Sequence, residues 1–208
     1  MNADSLTWTE LSGAFAFIGN SLLAPMNQTD RLGIDPAFWR EFPDFEDEGV
    51  AKAIGNCFDY ADVRRSLASA GEDPVRGISV EYTRLFVGPP SPAAAPWETF
   101  YRNEGVSVGF GEATFEMQRL LREAGLQVSN ENNQYADHIG IELLYLSVLC
   151  ERAAQGGQAE ADACASFAAE HSLTWIGKLR NRVSDDSPSG YYDNILTLAE
   201  ALLNKVAN

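Results

Sequence analysis

The sequence predicts an all-α fold: one globular helical bundle of about nine to ten helices. Three observations carry this. Apolar residues recur at spacings of three and four along most of the chain. Helix starts and stops are written as Asp-Pro pairs and isolated glycines. No stretch alternates apolar with polar residues, no hairpin dipeptide occurs, and no repeat period is present.

Leu6, Leu11, Phe15, Ile18, Leu22 and Leu23 mark a first amphipathic helix over residues 5–24, ended by Pro25. Asp35-Pro36 opens a second, because proline at the first helical position lacks only an N–H that has no partner there. Helices are expected over 46–56 and 57–70, the latter closed by Gly71. Asp73-Pro74 starts another that runs through Val80, Tyr82, Leu85 and Phe86 and stops at Gly88-Pro89-Pro90. Residues 88–97, "GPPSPAAAPW", carry four prolines and predict a stiff extended loop leading to a short turn with Trp97, Phe100 and Tyr101.

A helix over 112–124, with Phe115, Leu120 and Leu121 on its inner side, ends at Gly125. The polar run 129–134, "SNENNQ", is expected to be a hinge between an N-terminal helical block, residues 1–128, and a C-terminal block, residues 129–208. Beyond it "QYADHIGIELLYL" is apolar around nearly its whole circumference, which predicts a central buried helix reaching Ala154. Gly156-Gly157 ends it. Three further helices are expected over 159–171, 173–183 and 191–206.

The chain has 208 residues, 45% of them hydrophobic, enough for a core without staples. Its formal charge of −15 repels phosphate backbones and anionic lipid faces and favours basic partners, which argues against nucleic acid as a ligand. Cys57, Cys150 and Cys164 have neither the number nor the spacing of a disulfide framework or a zinc site, consistent with a reducing compartment. No Lys or Arg precedes Arg31, so the apolar N-terminal stretch does not read as an export signal, and no run is long enough for stable membrane insertion. A cytoplasmic protein is expected.

Catalytic chemistry finds little footing. His138 and Glu142 lie one turn apart, but His171, the other histidine, belongs to another helix, and no third ligand follows at metal spacing. No nucleophile elbow, phosphate-binding loop or dinucleotide fingerprint occurs. "GFGEATF", residues 109–115, sets a glycine pair before a helix, where an anion can sit, although such a match is common. Asp137 reads as a first-turn carboxylate favoured by the helix macrodipole, and His138 as a half-buried residue held by a carbonyl or by Glu142. The chain is expected to have no catalytic residue, no bound metal and no obligatory cofactor.

Binding is better supported. Leu85 and Phe86 at a helix end, a proline-stiffened loop, and Trp97, Phe100 and Tyr101 all fall within seventeen residues. They serve either to pin the loop to the core or to form a rigid apolar groove with little entropy left to lose on binding. Acids between Asp30 and Glu48 are a solvated face or a steering field for a basic peptide.

"EYTRLFVGPPSPAAAPWETFY", residues 81–101, resembles the Tyr-x-Arg-Leu-Phe-x-Gly-Pro…Pro-Trp-Glu-x-x-Tyr signature of the TorD/DmsD family of redox-enzyme maturation chaperones. "ADHIGIELLYL", residues 136–146, resembles the Asp-His-x-x-x-Glu-Leu helix start that follows it there. The resemblance implies an all-α chaperone that binds the twin-arginine leader, and sometimes the body, of a molybdopterin-dependent oxidoreductase precursor until its cofactor is inserted. It implies leader-binding roles for Leu85, Phe86, Trp97, Tyr101, Asp137 and His138. Supporting signature positions are Tyr82, Arg84, Gly88, Pro89, Pro96, Glu98 and Glu142. Weak GTP binding, and a monomer or a domain-swapped dimer, are further implications. Two positions depart from the pattern: Gln134-Tyr135-Ala136 stand where Glu-Pro commonly precedes the Asp-His pair, and Ala95 replaces a loop proline. On that reading the apolar leader segment would meet Leu85, Phe86, Trp97 and Tyr101, Asp137 and other carboxylates would receive the arginines, and His138 would orient that edge as a hydrogen-bonding partner. The alternative is a generic helical interaction module with nucleotide-responsive binding.

Overall fold

A computed structural model describes residues 3–102, 110–128 and 134–208 of the chain. Among these residues the secondary structure is helical, with one isolated antiparallel bridge between Trp97 and His138. The helices are α1 (Ala3–Leu23), α2 (Pro36–Glu41), α3 (Glu48–Ser69), α4 (Pro74–Tyr82), α5 (Thr99–Arg102), α6 (Glu112–Glu123), α7 (Ile139–Ala154), α8 (Gln158–Phe167), α9 (Leu173–Asp186) and α10 (Tyr191–Ala207). None is long and apolar enough to cross a membrane.

The Asp-Pro signals act as the sequence requires. Asp35 accepts from the Ala37 N–H at the start of α2, and Asp73 accepts from the Val75 and Arg76 N–H groups at the start of α4. Asp47 caps α3 by accepting from Val50 at 3.0 Å. The two helices expected over 46–56 and 57–70 are this single α3. Gly55, next to the expected boundary, stays within the helix, no proline stops hydrogen bonding there, and Cys57 is buried.

α7 is the axis of the bundle. Ile139, Leu143, Leu146 and Cys150 are fully buried, and α1 packs along it through Phe15, Ile18 and Leu22. The second layer comes from α10, which packs on α3 and α9 and buries Tyr192, Ile195, Leu196, Leu198, Leu202 and Leu203. Helices from both sides of residue 129 therefore share one core. Of the expected hinge, residues 129–133 lie outside those described. α8 passes into α9 through one widened π turn, Ala168–Ser172, which supplies buried Ser172.

α4 likewise ends in a π turn, Thr83–Val87, at a left-handed Gly88 with φ of 97°. The proline-rich loop does not extend away as expected. It folds back on the helix end it has just left, the Ala93 and Ala94 N–H groups donating to the Arg84 and Leu85 carbonyls, and it buries Ala94, Ala95 and Pro96.

Candidate functional site

The two signature segments meet. The Glu98 N–H donates to the Asp137 carbonyl at 3.0 Å, and the Ile139 N–H to the Pro96 carbonyl at 2.9 Å. The Asp137 carboxylate completes the clasp: Oδ2 accepts from the Thr99 N–H at 2.9 Å, Oδ1 from the Thr114 hydroxyl at 2.8 Å. One side chain thus binds the 96–99 turn, α6 and the entry to α7. It is fully buried, with both oxygens engaged, so as it stands it is not the surface carboxylate expected to receive arginines. Nor does it lie in the first turn. His138 is the cap of α7, its Nδ1 accepting from the Gly140 N–H at 3.0 Å.

That bond fixes the imidazole chemistry. With Nδ1 as an acceptor, the proton of the neutral ring is on Nε2, and that atom is buried without a partner. Burial pushes the His138 pKa down to about 3, so the ring is neutral at physiological pH. One turn on, Glu142 is also fully buried. Its Oε2 accepts from the Ser172 hydroxyl at 2.7 Å and from the Trp175 indole at 3.3 Å, and its Oε1 has no partner. Burial, reinforced by the nearby Glu98 and Asp137 carboxylates, holds its carboxyl well above the usual range. Glu98 bonds Arg102 Nε at 2.9 Å and faces His171 at 3.4 Å, while Arg102 reaches on to Glu116 at 2.6 Å. These acids and imidazoles form an interior polar network. Among the described residues no group of three His, Cys, Asp or Glu side chains is placed to hold a metal ion.

The apolar residues divide in two. Leu85 and Phe86 are core: the Phe86 ring packs on Tyr82 and Tyr192, at centroid distances of 5.3 and 5.2 Å. Tyr82 reaches the Leu22 carbonyl, and Arg84 pairs with Asp186 at 2.7 Å. Tyr101 is buried too, stacked on Trp175 at 5.4 Å. Trp97 instead stands half-buried against His138 and Tyr135, at 6.3 and 5.8 Å. The four side chains expected to line one groove thus do not share a surface. Three close the interior, as aromatics after a helix end commonly do, and only Trp97 faces outward.

What Trp97 joins was not expected. Tyr135 contacts Phe110 at 5.5 Å, and Phe110 contacts Phe115 at 5.0 Å. Phe110, Phe115 and Tyr135 are 44%, 57% and 41% exposed, so Trp97–Tyr135–Phe110–Phe115 is a continuous ladder of rings open to solvent. A cleft of about 430 Å³ adjoins it at Tyr135, lined by Leu121, Leu126, Val128 and Ala136 together with Gln118, Gln127, Gln134 and Arg122. Phe115 is not on the inner side of α6 as its spacing predicts: the buried residues are Ala113, Thr114, Met117 and Leu121, the last three at successive turns, and Phe115 is exposed. That stripe was readable in the sequence. The pairing of Tyr135 with Phe110 was not, because it depends on how the clasp seats residue 135 beside α6. Of the glycine pair before α6, Gly109 lies outside the described residues; Gly111 is the N-cap.

Comparison with known proteins fits this geometry. The profile of the nitrate reductase delta subunit family matches residues 46–181, which span α3 to α9 and both halves of the clasp. The chain belongs to this family, in which the TorD and DmsD chaperones are also grouped. It is 29% identical over 122 residues to the Tat proofreading chaperone DmsD of Salmonella typhi, covering 59% of this chain and 56% of that protein. It is 26% identical over 143 residues to the chaperone protein TorD of Vibrio cholerae serotype O1, covering 64% and 62%. The chain thus matches less than two thirds of the length of these relatives. They are named as chaperones, not as catalysts, in keeping with the lack of catalytic motifs in the sequence. A redox enzyme maturation protein from Archaeoglobus fulgidus has the same fold, with a TM-score of 0.51 at 18% identity over 95% of this chain and 94% of that one.

Proposed function

We propose that the protein is a cytoplasmic chaperone that binds the twin-arginine leader of a molybdopterin-dependent oxidoreductase precursor and delays export until the cofactor is in place. The observation that carries the reading is the ring ladder from half-buried Trp97 to exposed Tyr135, Phe110 and Phe115, beside a cleft of mixed polar and apolar lining, in a chain of charge −15. A leader joins a cationic segment to an apolar one. The rings receive the apolar part, and each buried Leu or Phe of the leader contributes about 1.5 to 3 kcal/mol. The cationic part is drawn by the overall field and by Glu112, an exposed carboxylate in the first turn of α6. The names of the DmsD and TorD relatives support the same reading.

The test is calorimetric titration of the full chain with a twin-arginine leader peptide, and separately with GTP, repeated for Trp97→Ala and Phe115→Ala. Both substitutions weaken leader binding at least about tenfold, that is by about 1.4 kcal/mol, if the ladder is the receptor. Unchanged affinity in both rules the ladder out. Equal affinity for a leader and for a scrambled apolar peptide favours a generic interaction module instead.

A further inference from the structure

A concavity lined by two arginines lies away from the ladder in this acidic molecule. Segment 25–31, which follows α1, and the outer face of α4 enclose a cleft of about 770 Å³. Arg31 and Arg76 line it together with Asn27, Gln28, Ser79 and the 61%-exposed Val80. Most arginines of the chain are engaged: Arg84, Arg102, Arg119 and Arg180 in ion pairs, Arg40 and Arg182 over aromatic rings. Among the described residues Arg31 and Arg76 have no such partner, yet they share one cleft. Asp73 on the same wall is already the cap of α4, its Oδ1 accepting from two backbone N–H groups. Arg31 also borders a smaller cleft, of about 250 Å³, with Arg64, which lies over the Tyr60 ring, and Arg65, which is paired with Asp62.

We propose that this cleft docks an acidic peptide segment of a partner protein. Free guanidinium forks bind carboxylates in pairs of parallel hydrogen bonds, and two of them on opposite walls suit carboxylates spaced along a chain. The cavity is far larger than one inorganic anion. Val80, Val75 and Pro25 give it aliphatic walls for an intervening apolar side chain, and Asn27 and Gln28 offer amides to a peptide backbone. Because the chain as a whole repels anions, occupancy depends on these local contacts rather than on long-range attraction. The cleft has no lining residue in common with the ring ladder, so the inference stands apart from leader binding.

Fluorescence anisotropy of a labelled peptide of alternating glutamate and leucine, titrated with the full chain, tests it. Saturable binding is expected, weakened at least about tenfold in Arg31→Gln/Arg76→Gln and absent for the glutamine version of the peptide. The paired substitutions lie on exposed side chains, and an unchanged melting temperature and circular dichroism spectrum confirm that the fold persists. Three results overturn the proposal: no binding, equal affinity in the double variant, or displacement by millimolar succinate or inorganic phosphate, which would assign the cleft to a small dianion.

Discussion

Gly19 of α1 and Gly140 of α7 face each other where the two helices cross. A methyl group on Gly19 would stand 2.8 Å from the Gly140 carbonyl oxygen, and one on Gly140 would stand 2.7 Å from the Gly19 carbonyl oxygen and from Leu23 Cγ. Backbone meets backbone there: the Leu144 and Leu23 side chains beside the two glycines can shift, but the carbonyl oxygens cannot. α1 is thereby drawn onto the first turn of α7, directly above the clasp.

Alanine at either position must push the helices apart, despite alanine's better helix propensity of about 1 kcal/mol. Overpacking of this kind costs about 1 to 3 kcal/mol, and the backbone contact places both variants at the upper end. Gly19→Ala and Gly140→Ala are expected to lower the midpoint of urea unfolding, whereas Gly55→Ala, with open space around it, leaves the midpoint unchanged or raises it.

The clasp titrates in two directions. From about pH 6.5 down to about 3 the unfolded chain takes up a proton that folded His138 refuses, so stability falls as pH falls through that window. For Glu142 the sign is reversed. Above the ordinary carboxylate range the unfolded chain releases a proton that the folded state retains, so stability falls as pH rises toward the raised pKa. His138→Asn, which keeps a capping acceptor, is expected to flatten the acid side of a plot of melting temperature against pH. Glu142→Gln, which keeps an acceptor for Ser172 and Trp175, flattens the side above the ordinary carboxylate range, and its advantage over the parent grows as pH rises out of that range.

Phe86 and Trp97 separate core from surface. Phe86→Ala removes a fully packed ring between Tyr82 and Tyr192 and is expected to cost about 3 to 5 kcal/mol in chemical denaturation. Phe115→Ala, on an exposed side chain, changes stability by no more than about 0.5 kcal/mol. A comparable loss in the two variants would show that the ladder is structural packing.

Periodicity and helix punctuation made the fold legible, because Asp35, Asp73 and Gly88 act within a few residues of themselves and the apolar run of α7 has no exposed side to disguise. The approximate position of the site was legible too, since Trp97, Asp137 and His138 do come together. Direction was not. Leu85 and Trp97 are both apolar signature positions near a loop, and whether such a side chain turns inward depends on the π turn of α4 and on the fold-back of residues 93–94, which spacing does not encode. Asp137 misled for the same reason: a carboxylate before a helix predicts exposure, whereas its two donors come from residues 38 and 23 positions away.

Those distant donors make Asp137 the most sensitive polar position in the clasp. Asp137→Ala leaves the Thr99 N–H and the Thr114 hydroxyl without their acceptor in a buried setting, and each lost bond of this kind costs about 1 to 3 kcal/mol. The Glu98 N–H to Asp137 carbonyl bond survives, because it is made by the main chain. The 96–99 turn therefore loosens without detaching, and Trp97, which it carries, loses its fixed place beside Tyr135. The variant is expected to unfold at lower denaturant and to bind a leader peptide more weakly, both effects being relieved together as the turn is stabilised by lower temperature. Weaker binding with an unaltered unfolding midpoint would mean that Asp137 touches the leader itself, and the carboxylate would then have to leave its buried place to do so.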